Sequence, residues 1–245
     1  MSAARPGKSS RGRRGGFRLA TLAAVLLAGL PAAALPSGTA WAAPGDVTLK
    51  GGVLLQRVAF DLSYGAYLQR RFGARYVDLP GVSLAATRWA DERIGYGLEL
   101  DLFRGGFDYR TLNGGTRHAG FDLQQLLARM DVAPPGPWQI GLGAGLSRLA
   151  RSLEGVHNRD ITASNLPANQ GTATAVTYSG VALIEALYAR RGPRWGLELG
   201  LRYSVSPHFI PRSDKRPALD DRQRPVDSGF NVGGLACVFT VALRY

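Results

Sequence analysis

Apolar and polar residues alternate with a period of two in recurring blocks from about residue 47 to residue 245. Between 195 and 205, Trp195, Leu197, Leu199, Leu201, Tyr203 and Val205 share one parity. Gly196, Glu198, Gly200, Arg202 and Ser204 share the other. Successive side chains of a strand point to opposite faces, so this block predicts a strand with one apolar and one polar face. Residues 138–147, 94–102 and 235–245 repeat the pattern. In the last of these, Leu235, Cys237, Phe239, Val241, Leu243 and Tyr245 oppose Ala236, Val238, Thr240, Ala242 and Arg244. Four further strands are predicted at 47–56, 81–89, 123–132 and 177–189. The parity of 81–89 breaks at Trp89 if that ring faces outward, which would require a bulge. The segments 123–132 and 177–189 are apolar on both faces in places, and put Arg129, Asp131 and Glu185 inside if Met130 and Ile184 face out.

The links between blocks alternate in length. Those at 90–93, 133–137 and 190–194 are tight turns, whereas 63–80, 104–119, 149–175 and 206–228 are long, polar and rich in Gly and Pro. In an up-and-down barrel this alternation gathers the short turns at one rim and the long loops at the other. The predicted fold is therefore all-β, an eight-stranded antiparallel up-and-down transmembrane β-barrel.

The chain ahead of the first strand is of a different kind. Residues 1–18 carry Arg5, Lys8, Arg11, Arg13, Arg14 and Arg18 with no acid, residues 19–35 are Ala- and Leu-rich, and Ala40-Trp41-Ala42 offers small residues two apart. Residues 1–42 are expected to be a signal peptide cleaved before Ala43, and 43–245 a single barrel domain. Six of the +12 formal charges belong to that leader, which leaves the mature part at +6. The surplus is scattered, so a nucleic-acid partner is not expected. Cys237 is the one cysteine, which excludes an intrachain disulfide, and none lies near the cleavage site for a lipid anchor. No mature stretch approaches the roughly 20 apolar residues of a membrane helix. If the mature chain spans a membrane, it does so as a closed barrel, because lipid offers no partner for an open strand edge.

Alternation alone does not decide which face meets lipid. Trp89, Trp138 and Trp195 each lie beside a short turn, with Tyr96, Tyr188 and Tyr245 at the same rim. Such alignment predicts an aromatic girdle at a membrane interface. The opposite parity holds Glu99, Asp101, Arg129, Asp131, Glu185, Glu198, Arg202 and Arg244, predicted to pair as a charge network inside a narrow lumen.

The terminal Phe239-Thr240-Val241-Ala242-Leu243-Arg244-Tyr245 resembles the C-terminal β-signal of outer-membrane proteins. The units Trp89-Ala90-Asp91-Glu92-Arg93…Leu98-Glu99-Leu100 and Trp138-Gln139-Ile140-Gly141-Leu142-Gly143-Ala144-Gly145 resemble the OmpA-like and OmpX-like barrel superfamily. The resemblance implies the barrel fold, location in the bacterial outer membrane, contact with lipid and lipopolysaccharide, and assembly through the barrel insertion machinery, which would engage the strand ending at Tyr245. It implies no single activity, and no downstream periplasmic domain is expected.

Candidate chemistry is thin. His118, His157 and His208 fall in three different long links without metal-ligand spacing. Ser152, Glu154, His157 and Ser164 share one link and carry the enzyme reading, a lipid A hydrolase, but lack the His-x-Ser-Asn run of the outer-membrane deacylases; the nearest match is His157 with Ser164-Asn165. The arginines and lysine at 70, 71, 212, 215, 216, 222 and 224 could meet lipopolysaccharide phosphates, with Asp214, Asp220, Asp221 and Asp227 interspersed. The expectation is a non-enzymatic barrel, without catalytic residues, cofactor or metal, acting in envelope integrity or surface interaction through its long loops. The alternatives are porin-like passage of small or hydrophobic solutes, and lipid A modification.

Overall fold

The computed structural model describes residues 42–59, 76–110, 116–154, 172–209 and 229–245. Ten strands appear in chain order: β1 (Val47–Ala59), β2 (Tyr76–Trp89), β3 (Ile94–Arg110), β4 (Thr116–Val132), β5 (Trp138–Glu154), β6 (Thr172–Arg191), β7 (Trp195–Val205), β8 (Pro207–Phe209), β9 (Gly229–Asn231) and β10 (Gly234–Arg244). Eight of them close into a barrel in the order β1-β10-β7-β6-β5-β4-β3-β2, while β8 and β9 form a separate two-stranded sheet. Every neighbouring pair in the wall is antiparallel. Closure is completed where Val47 N donates to Tyr245 O at 3.1 Å and Tyr245 N donates to Val47 O at 2.9 Å.

The predicted alternation becomes the two faces of the wall. On β5, Trp138, Ile140, Leu142 and Leu146 are exposed outward while Gln139 and Ser147 are buried inward. On five wall strands the outward apolar run is bounded at its outer end by a polar residue. It ends at Arg104 on β3, Gln124 on β4, Arg148 on β5, Asp78 on β2 and Arg57 on β1. The length of the run matches the roughly 9–11 residues a tilted strand needs to cross the hydrocarbon layer. Among the described residues no helix is long and apolar enough to cross a membrane.

Beyond the belt the strands continue, which corrects the expected long link at 104–119. Residues 104–110 belong to β3 and 116–119 to β4, paired in unbroken register from Ile94↔Val132 to Arg110↔Thr116. The physical reason is that alternation records contrast between two solvents. Above the hydrocarbon the outward face turns polar, at Asp78, Arg104 and Asp108. Inward Leu79, Phe103 and Phe107 stay apolar against the inner core, so the apolar parity inverts although the backbone ladder persists. Residues 76–80 join β2 for the same reason, and β5 and β6 remain paired up to Glu154↔Thr172.

The outer end of the lumen is an apolar core. Leu54 and Val58 of β1, Leu79 of β2, Phe103 of β3, Phe121 and Leu123 of β4, Leu149 of β5 and Val238 of β10 form one buried cluster with Val232. Leu123 and the inward Leu183 and Leu187 belong to the segments that read as apolar on both faces. They are so because one apolar face meets lipid while on the other Leu123 and Leu187 join this core and Leu183 packs with Leu127 and Val181.

Candidate functional site

The inner half of the lumen carries the charges. Arg129 of β4 donates from Nη1 to Glu99 Oε2 at 2.5 Å and from Nε to Asp131 Oδ1 at 2.6 Å, and from Nη2 to Glu185 Oε1. Arg202 of β7 donates from Nη1 to Asp101 Oδ2 at 2.6 Å and from Nη2 to Glu99 Oε1 at 2.5 Å. It also reaches Glu185 Oε2 from Nη2 at 2.8 Å and from Nε at 3.0 Å. Lys50 Nζ of β1 lies 3.2 Å from Asp131 Oδ2 and 3.2 Å from Glu198 Oε2. Ser83 and Thr87 of β2 add hydroxyl donors to Glu99 at 2.7 Å and Asp131 at 3.1 Å.

Strand geometry explains the convergence. Residues two apart share a face, so Glu99 with Asp101 and Arg129 with Asp131 enter as pairs from β3 and β4. Glu185 lies opposite Arg202 in register, so β6 and β7 meet at the same level. Gly141 stands opposite both Asp131 and Glu185. A Cβ at Gly141 would lie 2.6 Å from Glu185 Oε1 and 2.7 Å from Arg129 Nη2. The missing side chain is the space in which that ion pair forms.

Each of these eight side chains is almost shut off from water, from 0% exposure at Asp101 and Asp131 to 5% at Lys50 and Arg129. Buried charges are tolerated only when paired and hydrogen-bonded. The lumen meets the pairing condition by crossing three cations with five carboxylates, while Lys50 and Glu198 are held by charge proximity alone.

Two predicted site residues are placed elsewhere. Trp89 is not in the outward girdle: it is 1% exposed, points inward, and donates from Nε1 to Thr48 Oγ1 at 2.9 Å. Strand β2 alternates without a bulge through Thr87, Arg88 and Trp89, so parity carries the ring into the lumen. There it packs with Ala42, Ala133 and Ala242 under the charged layer. Arg244 has the inward parity but lies too near the strand end to reach the network. It donates from Nη2 to Pro193 O at 2.6 Å and lies 3.8 Å from Asp46 Oδ2 at the rim. Lys50 is the luminal residue missing from the sequence-predicted network, although its place on the polar face of the first strand was the signal that marks it.

The remaining girdle residues face outward at the short-turn rim. Tyr96, Trp138, Trp195 and Tyr245 are all more than half exposed, and Tyr188 meets Trp138 edge to face at 5.6 Å between centroids. A second aromatic set, Tyr76, Tyr178 and Tyr203, is exposed toward the other end of the strands.

The histidines do not converge. His118 on β4 is exposed and its Nδ1 lies 2.8 Å from Asp108 Oδ1. His208 on β8 is fully buried: its Nδ1 lies 2.9 Å from Thr177 Oγ1, and its Nε2 lies 3.0 Å from Ser147 Oγ and 3.2 Å from Ser206 Oγ. Burial pushes this imidazole, which lies outside the spanning strands, down to about 4. With Ser179 Oγ donating to Pro207 O, and Gln56 Nε2 to Val232 O at 2.8 Å, these bonds seat the β8–β9 region across the outer end of the lumen. Nothing in the local pattern of 206–228 marked that inward turn. Ser152 and Glu154 lie on β5. His157, Ser164 and the basic positions from 70 to 71 and from 212 to 224 lie outside the described residues, and among the described residues no group of three His, Cys, Asp or Glu could hold a metal ion.

No described protein family matches the chain, and no curated protein matches its sequence. Solved structures do match. Two structures of Ail, the attachment invasion locus protein of Yersinia pestis, align over 82% of this chain and 99% of theirs, at 10% identity and TM-scores of 0.50 and 0.51. One of them is a complex with the heparin analogue sucrose octasulfate. The chain has the fold of the small outer-membrane β-barrels. Neisserial surface protein A aligns at 13% identity over 82% of this chain and 99% of its own, with a TM-score of 0.45. With its outward apolar belt and girdle, this barrel lies in the bacterial outer membrane.

Proposed function

We propose that this barrel is a non-conducting, non-enzymatic outer-membrane protein that serves envelope integrity or surface interaction, with its extracellular surface as the working part. The observation that carries the reading is the filled lumen. The charged layer is at most 5% exposed at every one of its eight residues. Trp89 lies beneath it, and the apolar cluster of Leu54, Phe103, Phe121 and Leu149 lies above it. A solute path through the axis would have to break all three. Above the belt, β3–β6 continue as four paired strands, which gives the long links a rigid base from which to meet a partner. Rigid scaffolds carrying variable loops are a recurrent way to build recognition surfaces. In the same reading, the C-terminal strand ending at Tyr245 is what the insertion machinery engages.

Planar-bilayer recording tests this. The purified protein is expected to give no persistent open state, while Trp89→Gly combined with Arg129→Ala and Phe103→Ala, one change in each layer, opens steps. A stable conductance in the unaltered protein overturns the reading in favour of passage of small solutes.

A further inference from the structure

Exposed arginines sit at both ends of the lipid-facing wall, and the ends differ in what surrounds them. At the outer end, Arg57 forks onto Asp78, with Nε to Oδ1 at 2.7 Å and Nη2 to Oδ2 at 3.0 Å. Arg104 lies directly across from Asp122 in register, whereas Arg148, half-buried on β5, stands between Gln124 and Tyr178. At the short-turn end, Arg88 on β2 stands between Val47 and Tyr96, and Arg190 on β6 stands across from Leu197. Both side chains are exposed and share the outward parity of the belt. Neither has a carboxylate as a cross-strand neighbour.

The wider rim repeats the imbalance. Among the described residues, Arg88, Arg93, Arg190 and Arg194 are set against Asp91 and Glu92, while Arg191 bonds Gln139 and Arg244 lies near Asp46. Two of those acids are engaged locally: Asp91 Oδ1 accepts from the backbone N–H groups of Arg93 and Ile94, both at 2.7 Å, and Asp46 Oδ2 from Ala43 N at 2.8 Å. In the ring order, β2 and β6 stand four strands apart, on opposite sides of the barrel.

We propose that Arg88 and Arg190 bind the phosphates of anionic phospholipids in the periplasmic leaflet, one lipid on each side of the barrel. A guanidinium takes two phosphate oxygens in one plane and remains charged at any physiological pH. The girdle sets the height: Tyr96 beside Arg88, and Trp138 and Tyr188 near Arg190, mark where hydrocarbon gives way to headgroups. Lipid acyl chains would then lie along the outward apolar side chains above each arginine, Ala86 and Leu84 on β2 and Ala186 and Ile184 on β6. At the other end, the ion pair of Arg57 with Asp78 and the carboxylate of Asp122 across the ladder from Arg104 leave these two arginines less open to an anionic headgroup.

Native mass spectrometry of the purified barrel, released from micelles containing equal phosphatidylglycerol and phosphatidylcholine, tests the assignment. The unaltered protein is expected to retain phosphatidylglycerol preferentially. Arg88→Gln and Arg190→Gln should each reduce that preference roughly fivefold, the effect of one near-surface arginine, and the double variant should retain both lipids equally. Arg104→Gln at the other end should keep the preference. The proposal is overturned by no preference in the unaltered protein, by an unchanged preference in the double variant, or by an equal loss in Arg104→Gln.

Discussion

Arg202→Ala is expected to lower the stability of the folded barrel by about 3–5 kcal/mol, the cost of leaving buried charges without their partner. Its guanidinium is shared by Glu99, Asp101 and Glu185, so one deletion leaves Asp101 with no cation and Glu99 and Glu185 with Arg129 alone, in a space that water does not reach. The layer already holds more acids than bases, since Glu99, Asp101, Asp131, Glu185 and Glu198 face Lys50, Arg129 and Arg202. Loss of a cation therefore hurts more than loss of a carboxylate. Glu198→Gln should cost visibly less, because Glu198 meets Lys50 alone in that layer while Lys50 keeps Asp131. Urea unfolding in lipid vesicles, followed by tryptophan fluorescence, measures both. Neutralising the stranded acids as well, in Arg202→Leu with Glu99→Gln and Asp101→Asn, should recover much of the loss. Equal destabilisation by Arg202→Ala and Glu198→Gln would show that the crossed pairing is not what holds the lumen.

Leu100→Arg is the second large effect. Leu100 lies in the middle of the outward run of β3, between Tyr96 and Arg104, and is 38% exposed. A basic residue on the lipid face near mid-bilayer costs about 2–4 kcal/mol. The variant should fold poorly into vesicles, seen as a reduced fraction of the compact, heat-modifiable form on gels and an earlier urea midpoint. Leu100→Ala should fold nearly normally, since it removes bulk without introducing a charge. If Leu100→Arg folds as well as the unaltered chain, β3 does not face hydrocarbon at that position.

How far the sequence reveals this molecule depends on which solvents meet at each position. Where lipid lies on one side and charges on the other, as at Trp195–Val205, period-two alternation is complete and the strand is legible. Where both sides are apolar, as at Leu123 and Leu183, the contrast vanishes, and where the apolar side changes from lipid to the inner core, as between Leu102 and Phe107, the parity inverts and the strand ends blur. The network was legible for the same reason: Glu99, Asp101, Arg129, Asp131, Glu185, Glu198 and Arg202 each sit opposite an apolar parity. Trp89 was misplaced because proximity to a turn was weighed above strand parity, which in β2 runs unbroken to the last residue. Arg244 fails for a different reason, since parity gives direction but not height, and a side chain at the strand end reaches the rim rather than the axis. The inward turn of Ser206 and His208 depends on contacts with β5 and β6, far away in sequence, and no local pattern encodes it.

The central claim is that one face of the wall meets lipid while the other closes on itself. Its most direct test compares three tryptophans, in proteins that retain Trp89, Trp138 or Trp195 alone, reconstituted with phospholipids brominated near the headgroup end of the chain. Trp138 and Trp195 are expected to be strongly quenched, and Trp89 to keep its emission. Quenching of Trp89 as strong as that of the other two would mean that the ring meets lipid and that the inward face has been assigned wrongly.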